Sequence, residues 1–187
     1  LHDIPDDWQH GDVAQALRHC SRRGLAVDCG AHRGVVTRFL AQQFERVVAI
    51  EPGPLASQIK GADEVLRVAL GDKPGRVGMA DGKHNTGQRH CVPGDSIEVI
   101  TLDSLGLEPD FVKLDVEGME WHALKGGERT IRTHKPVVML EENGLNKRYG
   151  VADNECKRLL ESWGARLVLT LESNPPDTDQ VFAWPAP

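Results

Sequence analysis

Leu25-Ala26-Val27-Asp28-Cys29-Gly30-Ala31-His32-Arg33-Gly34 decides the fold, because it holds a short buried strand, a sharp turn and the entry to a helix. Leu25 to Cys29 is a mostly apolar run of strand length between Gly24 and Gly30. Gly30 lets the backbone turn sharply, and Gly34 lets the following helix approach the strand closely. Val35 to Phe44 reads as that helix. The same rhythm repeats downstream. Val47 to Ile50 is a second apolar strand ending at Glu51-Pro52, followed by a short helix over about 54–60. Val65 to Leu70 is a third strand, ending at Gly71-Asp72.

Upstream, residues 12–22 carry Val13, Ala16, Leu17 and Cys20 at helical spacing, with Gly24 as the stop. Segment 73–100 breaks the rhythm; rich in Gly and polar residues, it reads as a hairpin-like insertion. The pattern returns with Phe111 to Asp115, a helix over about 118–125 interrupted by Gly126-Gly127, and a strand at Val137 to Leu140 ending in Glu141-Glu142-Asn143. Asp153 is the expected N-cap of a helix with Cys156, Leu159, Leu160 and Trp163 on one face, closed by Gly164. Leu167, Leu169 and Leu171 alternate in one strand and Val181 to Trp184 form another, with Asn174-Pro175-Pro176-Asp177 as the turn between them. Strands alternating with helices predict a mainly parallel sheet covered on both faces. The last two strands, joined by a turn too short for a helical crossover, must be antiparallel. Residues 1–187 are expected to form one domain, with 1–24 as a helical lead-in.

With 187 residues, 40% of them hydrophobic, the chain can bury one substantial core. Leu1 stands where an initiator Met would, which fits a trimmed chain or a piece of a longer protein. A net charge of −6 argues against a nucleic-acid partner, although Arg22-Arg23 and Lys147-Arg148 are local basic pairs. No apolar run approaches the roughly 20 residues of a membrane span. Cys20, Cys29, Cys91 and Cys156 lack CxxC spacing and the histidines lack HxxxH or HExxH pairing, so neither a disulfide framework nor a metal site is assigned, and a cytoplasmic location is expected. Oligomeric state leaves no signal in the sequence.

In open α/β sheets, ligands sit beyond the carboxyl ends of the strands, so the chemistry should lie there. Glu51, ending the second strand, has the place and the carboxylate to accept hydrogen bonds from both ribose hydroxyls of a nucleoside. A dinucleotide loop would have Gly where His32 stands, to make room for a pyrophosphate. Asp28 adds a carboxylate beside the loop, which suits a cationic ligand better than an anionic one. S-adenosylmethionine, with its sulfonium and ammonium groups, fits these residues better than NAD does. The fourth strand adds the unusual feature. A central parallel strand is normally apolar throughout, yet 112–117 reads Val-Lys-Leu-Asp-Val-Glu. Period-2 geometry sets Lys113, Asp115 and Glu117 on one side while the strand lasts. Charges buried there without a task are costly, so Asp115 is expected near a reacting centre. The bland alternative is an edge strand, or an ion pair of Lys113 that only holds the turn. Glu141 and Glu142 end the next strand and are expected beside Asp115, where a carboxylate could serve as a base or help bind a cation.

Val27-Asp28-Cys29-Gly30-Ala31, Glu51-Pro52, Ala69-Leu70-Gly71-Asp72, Thr101-Leu102-Asp103 and Lys113-Leu114-Asp115-Val116-Glu117-Gly118-Met119-Glu120, with Leu124-Lys125-Gly126 after them, together resemble the FkbM-type methyltransferases. The likeness runs in order from about 25 to 142. It implies an α/β, Rossmann-like methyltransferase fold: a mostly parallel seven-stranded sheet with an antiparallel C-terminal strand and helices on both faces. It also implies S-adenosylmethionine as donor and O-methylation of a hydroxyl on a sugar, polyketide, glycan or other small metabolite. By that likeness Asp28, Gly30 and Gly34 shape the donor loop, Glu51 holds the ribose, Asp72 lies near the adenine, and Asp115 to Glu117 border the transferred methyl. The implied cofactor-binding set is Asp28, Gly30, Ala31, His32, Gly34, Thr37, Glu51, Pro52, Leu70, Gly71, Asp72 and Asp115. His32 departs from the Asn common in the family, and Asn85-Thr86-Gly87 matches a polar loop over the pocket. Asp115 or Glu117 is the candidate base, with Glu141 in reserve and Lys113 completing the catalytic set. A nicotinamide oxidoreductase, a non-catalytic nucleoside-binding module and an RNA 2′-O-methyltransferase are the rival readings.

Overall fold

The computed structural model describes residues 7, 9–81, 89–174 and 177–185. Strands β1 (Leu25–Cys29), β2 (Arg46–Ile50), β3 (Glu64–Leu66), β7 (Phe111–Leu114), β8 (Val137–Glu142), β9 (Arg166–Asn174) and β10 (Asp177–Ala183) form a seven-stranded sheet in the order β3-β2-β1-β7-β8-β10-β9. The pairs β1–β2, β1–β7, β2–β3 and β7–β8 are parallel, and β10 runs antiparallel to both β8 and β9. The predicted sheet is therefore the observed one. Because the chain leaves β1 towards β2 and later returns to β1's other side as β7, the topological switch point lies between β1 and β7.

Alternation along the strands sorts the core onto two faces. Val27, Cys29, Val48, Ile50, Val112, Leu114, Val138, Leu140 and Phe182 pack with Ala123, Leu124, Ile131, Cys156 and Leu160 from helices α3 (Glu120–Gly126), α4 (Glu128–His134) and α5 (Glu155–Ser162). Ala26, Val47, Phe111, Val137, Met139 and Val181 pack on the other face with Val13 and Ala16 of α1 (His10–Ala16) and Val36 and Leu40 of α2 (Val35–Leu40).

Several boundaries differ from expectation for local reasons. The helix expected over 12–22 starts at His10, leaves α-geometry after Ala16 and ends in a 3₁₀ turn, Leu17–His19. There Arg23 caps the chain by donating to the carbonyls of Leu17 and Cys20 at 2.6 and 2.5 Å. The strand expected over 65–70 is two pieces. The β2–β3 register ends at Leu66, whose carbonyl accepts the Glu51 N–H at 3.0 Å, and the chain then moves to a second sheet as β4 (Ala69–Leu70). The helix expected from about 118 begins at Glu120, because Glu117 (φ 55°) and Gly118 (φ 98°) take left-handed backbone conformations that no helix contains. Asp153 does not cap α5: left-handed Asn154 occupies that position, and the Asp153 carboxylate pairs with Lys147 Nζ at 2.7 Å.

Segment 73–100 does contain a hairpin, β5 (Gly75–Ala80) against β6 (His90–Ile100), with β4 parallel to β6 on its other side. Asn85-Thr86-Gly87 and the Pro175-Pro176 turn lie outside the described residues. The small sheet is tied to the main body through glycines. A Cβ on Gly126, at the end of α3, would lie 2.0 Å from the Gly71 carbonyl oxygen.

Helical glycine normally gives way to alanine with a gain of about 1 kcal/mol. At Gly126 the sign should reverse. Gly126→Ala is expected to lose about 1–3 kcal/mol in urea unfolding, since helix and strand must separate to admit the methyl.

Candidate active site

The ends of β1, β2 and β7 build the centre of the site. After Cys29 the chain turns back at Gly30 (φ 82°), whose N–H donates to the Ile50 carbonyl at 2.8 Å, as does that of Ala31 at 3.1 Å. The Asp115 N–H in turn donates to the Cys29 carbonyl at 3.0 Å. The approach is so close that a Cβ on Gly30 would sit 1.7 Å from the Asp115 carbonyl oxygen. His32, also left-handed at φ 51°, presents its N–H to Glu51 Oε2 at 2.9 Å, and the Gly53 N–H donates to Glu51 Oε1 at 2.6 Å. Burial raises the Glu51 pKa, opposed by those two N–H groups. Each carboxylate oxygen keeps a further lone pair. Pro52 is half-buried between Glu51 and Gly53, and Gly34 (φ 80°) closes the loop with its N–H on the Ala31 carbonyl at 2.8 Å. Burial, and then Arg33, lowers the His32 pKa.

A row of charges runs across the α1/α2 face beneath this loop. Asp28 stands opposite Lys113 in the β1–β7 register, and Asp179 stands opposite Glu141 in β8–β10. Asp28 is fully buried and accepts the Thr37 hydroxyl at 2.6 Å. Burial raises its pKa. Lys113, only 2% exposed, donates to Asp115 Oδ2 at 2.8 Å. Burial alone would lower the Lys113 pKa, but the carboxylates of Asp115, Asp28 and Asp179 override it and hold the ammonium above its ordinary range. Glu141 accepts Asn143 Nδ2 at 2.6 Å; burial and then the Asp115 carboxylate raise its proton affinity, with Glu117 and Asp179 adding to the effect. Asp28, Thr37, Lys113, Asp115, Glu117 and Glu141 thus come together as one electrostatic unit. The strand carrying Lys113 is central, so the edge-strand reading does not hold. Glu117 leaves the strand alternation through its left-handed backbone. Glu142, on the opposite strand face, lies in the fields of Asp153 and Lys147 instead.

Leu70 and Gly71 are buried where β4 meets β6, while Asp72 is exposed near His122, whose pKa burial lowers against the opposing Asp72 carboxylate. Among the described residues, no three His, Cys, Asp or Glu side chains are grouped to hold a metal ion, and no helix is long and apolar enough to cross a membrane. All four cysteines are free.

Three residues escaped the candidate set. Glu120 is fully buried, and its Oε1 accepts the N–H groups of Val116 and Gly118 at 2.9 and 3.1 Å, fixing the loop that follows Asp115. It stands in the quoted Lys113–Glu120 block, and its spacing to Asp115 was the available signal. Asp179 lies in a strand that reads as ordinary and is placed only by the β8–β10 pairing. Arg89 reaches the Glu51 turn from the hairpin, a meeting that the sequence does not encode locally.

The sequence pattern of the methyltransferase FkbM domain matches residues 28–167. The FkbM methyltransferase of Methylobacillus flagellatus KT superposes with a TM-score of 0.60 at 25% identity, over 86% of this chain and 43% of that one. This chain therefore spans less than half the length of that relative. N-methyltransferase NodS of Bradyrhizobium japonicum WM9 aligns over 100% of both chains with a TM-score of 0.56 at 13% identity. The 1,6-didemethyltoxoflavin-N1-methyltransferase of Burkholderia thailandensis, solved with 1,6-didemethyltoxoflavin and S-adenosylhomocysteine, gives 0.50 at 14% identity, over 95% of this chain and 78% of that one. The last two likenesses concern the fold alone. No curated protein matches the sequence significantly.

Glu120 generates a pH prediction. Burial raises its pKa from 4.5 to about 7, so the folded state binds the proton more tightly than the unfolded chain does. Stability from this group is fully present below about pH 4.5 and is lost as the pH rises through about 7, by about 3 kcal/mol in total. Glu120→Gln should remove that decline. Urea midpoints measured at about pH 5 and about pH 8 should differ less in the variant than in the wild-type protein, and equal slopes would refute the assignment.

Proposed function

The chain belongs to the FkbM methyltransferase family, and from that premise we propose that it transfers a methyl group from S-adenosylmethionine to a hydroxyl of a sugar, polyketide or other small metabolite. The observation that carries the reading is Glu51. It ends β2 beside the β1–β7 switch point, 9% exposed, with each oxygen steadied by one backbone N–H and able to accept one more hydrogen bond. That is the acceptor pair a ribose diol requires. Family membership sets the nicotinamide oxidoreductase aside.

The donor fits the charge of the site. Asp28 Oδ1 is buried with no hydrogen-bond partner among the described residues, and the Asp28, Asp115 and Asp179 carboxylates outnumber the Lys113 ammonium in the row beneath the loop. The resulting negative field favours a cationic ligand. Asp28 and Thr37 support the loop from beneath; Gly30, Ala31, His32, Gly34, Glu51 and Pro52 form its surface, with Leu70, Gly71 and Asp72 assigned to the adenine side. S-adenosylmethionine, when bound, supplies an electrophilic methyl on a sulfonium. Asp115 is assigned to accept the proton that the acceptor hydroxyl loses, and Lys113 fixes its carboxylate in one orientation. Glu141, whose proton affinity burial raises, can instead donate a hydrogen bond to the acceptor in its protonated form; Glu117 stands as the alternative base. Much of the acceleration comes from holding hydroxyl and methyl in reacting geometry.

Calorimetry with S-adenosylhomocysteine should give binding to the wild-type protein that weakens about 10- to 100-fold in Glu51→Ala, the loss of charged hydrogen bonds. Absence of wild-type binding would end this reading. Asp115→Asn, assayed for methyl incorporation into a panel of hydroxylated metabolites, should cut turnover at least 100-fold while leaving S-adenosylhomocysteine affinity within a few-fold. Retained turnover would remove Asp115 as the base.

A further inference from the structure

Arg89 begins the second arm of the hairpin, just before β6, and its side chain crosses to the Glu51 turn. Its Nε donates to Asp81 Oδ1 at 2.6 Å, at the end of the first arm, and the side chain is only 21% exposed. A Cβ on Gly53 would lie 2.7 Å from Glu51 Oε1, and 3.7 and 3.8 Å from Nη1 and Cδ of Arg89. Carboxylate and guanidinium therefore flank one point of the Gly53 backbone. Glu51 already accepts the N–H groups of His32 and Gly53, so Arg89 is not what satisfies it. The guanidinium also stands near the His32 ring, where it disfavours the imidazolium. Next to it, the Cys91 carbonyl accepts the Tyr149 hydroxyl at 2.9 Å, which fastens this end of the hairpin to the main body.

We propose that Arg89 is a donor-binding residue that closes on the nucleoside half of S-adenosylmethionine, opposite Glu51. The reason is complementary chemistry. An ionised Glu51 only accepts hydrogen bonds, whereas each ribose hydroxyl that donates to it retains lone pairs needing a donor. Arg89 supplies donors: its Nε goes to Asp81, and its Nη groups make no hydrogen bond to another described residue. Its planar group also stacks on flat rings, as a lysine ammonium cannot. The acceptor and donor halves of the recognition thus come from different sheets, Glu51 from the seven-stranded one and Arg89 from the hairpin.

This inference rests on the donor pocket proposed above, and calorimetry on the full chain separates the two. S-adenosylhomocysteine and adenosine are titrated into the wild-type protein, Arg89→Ala, Arg89→Lys and Asp81→Asn. Arg89→Ala should weaken both ligands by the same factor, about 10-fold or more. Arg89→Lys keeps the charge but not the fork and should recover only part of that loss, and Asp81→Asn, which frees the stem, should cost less. Wild-type affinities in Arg89→Ala would overturn the inference, as would full affinity in Arg89→Lys. A loss confined to S-adenosylhomocysteine would also overturn it, placing the guanidinium on the amino-acid tail. Failure of the wild-type protein to bind either ligand would instead overturn the donor reading itself.

Discussion

The turn after β1 and the turn after β7 meet backbone against backbone, and the site depends on that meeting. Gly30 and Asp115 come from strands far apart in sequence, yet the carbonyl oxygen of one occupies the space where the other would carry a side chain. Gly30 thus meets two demands at once, a left-handed φ and an absent Cβ. Parallel strands β1 and β7 bring Cys29 and Leu114 into register, and the Asp115 N–H then bonds back to Cys29. From that joint, Glu51 is held by the loop on one side and Asp115 by Lys113 on the other. The spacing of the Glu51 and Asp115 carboxylates is thus anchored in backbone, which yields far less than side chains would.

The buried charges are the second constraint. Removing one partner of a buried ion pair typically costs about 3–5 kcal/mol because the other is left uncompensated. Lys113 is surrounded by acidic groups from β1, the turn after β7 and β10, so the row ties three strands electrostatically, at the carboxyl ends of β1 and β7 and the amino end of β10. An apolar row of equal volume would pack as well and cost less. What the charged version adds is a fixed orientation of Asp115, held by the Lys113 ammonium.

Much of this was legible in sequence because it follows local rules. Strand, glycine turn and helix from Leu25 to Phe44 gave the first βα unit, and the odd Val-Lys-Leu-Asp-Val-Glu run marked the strand with the chemistry. What stayed hidden depends on long-range pairing. The strand at 65–70 splits because its second half finds β6, a partner far along the chain. Asn154 rather than Asp153 takes the N-cap position of α5, while Asp153 pairs with Lys147. Asp179 joins the site only through the antiparallel register of β8 and β10, and Arg89 only through the way the hairpin lies over the Glu51 turn.

Gly30 and Gly126, two glycines of the motifs shared with the family, have a common physical account. Gly30 admits the Asp115 carbonyl, and Gly126 admits that of Gly71. In the same way Asp103 of the Thr101-Leu102-Asp103 motif accepts the N–H groups of Arg129 and Thr130 at 3.1 and 2.8 Å, where α4 begins. These three motif residues thus serve the joints between elements. A joint constrains the backbone whatever the acceptor is, whereas an acceptor constrains only the surface that touches it.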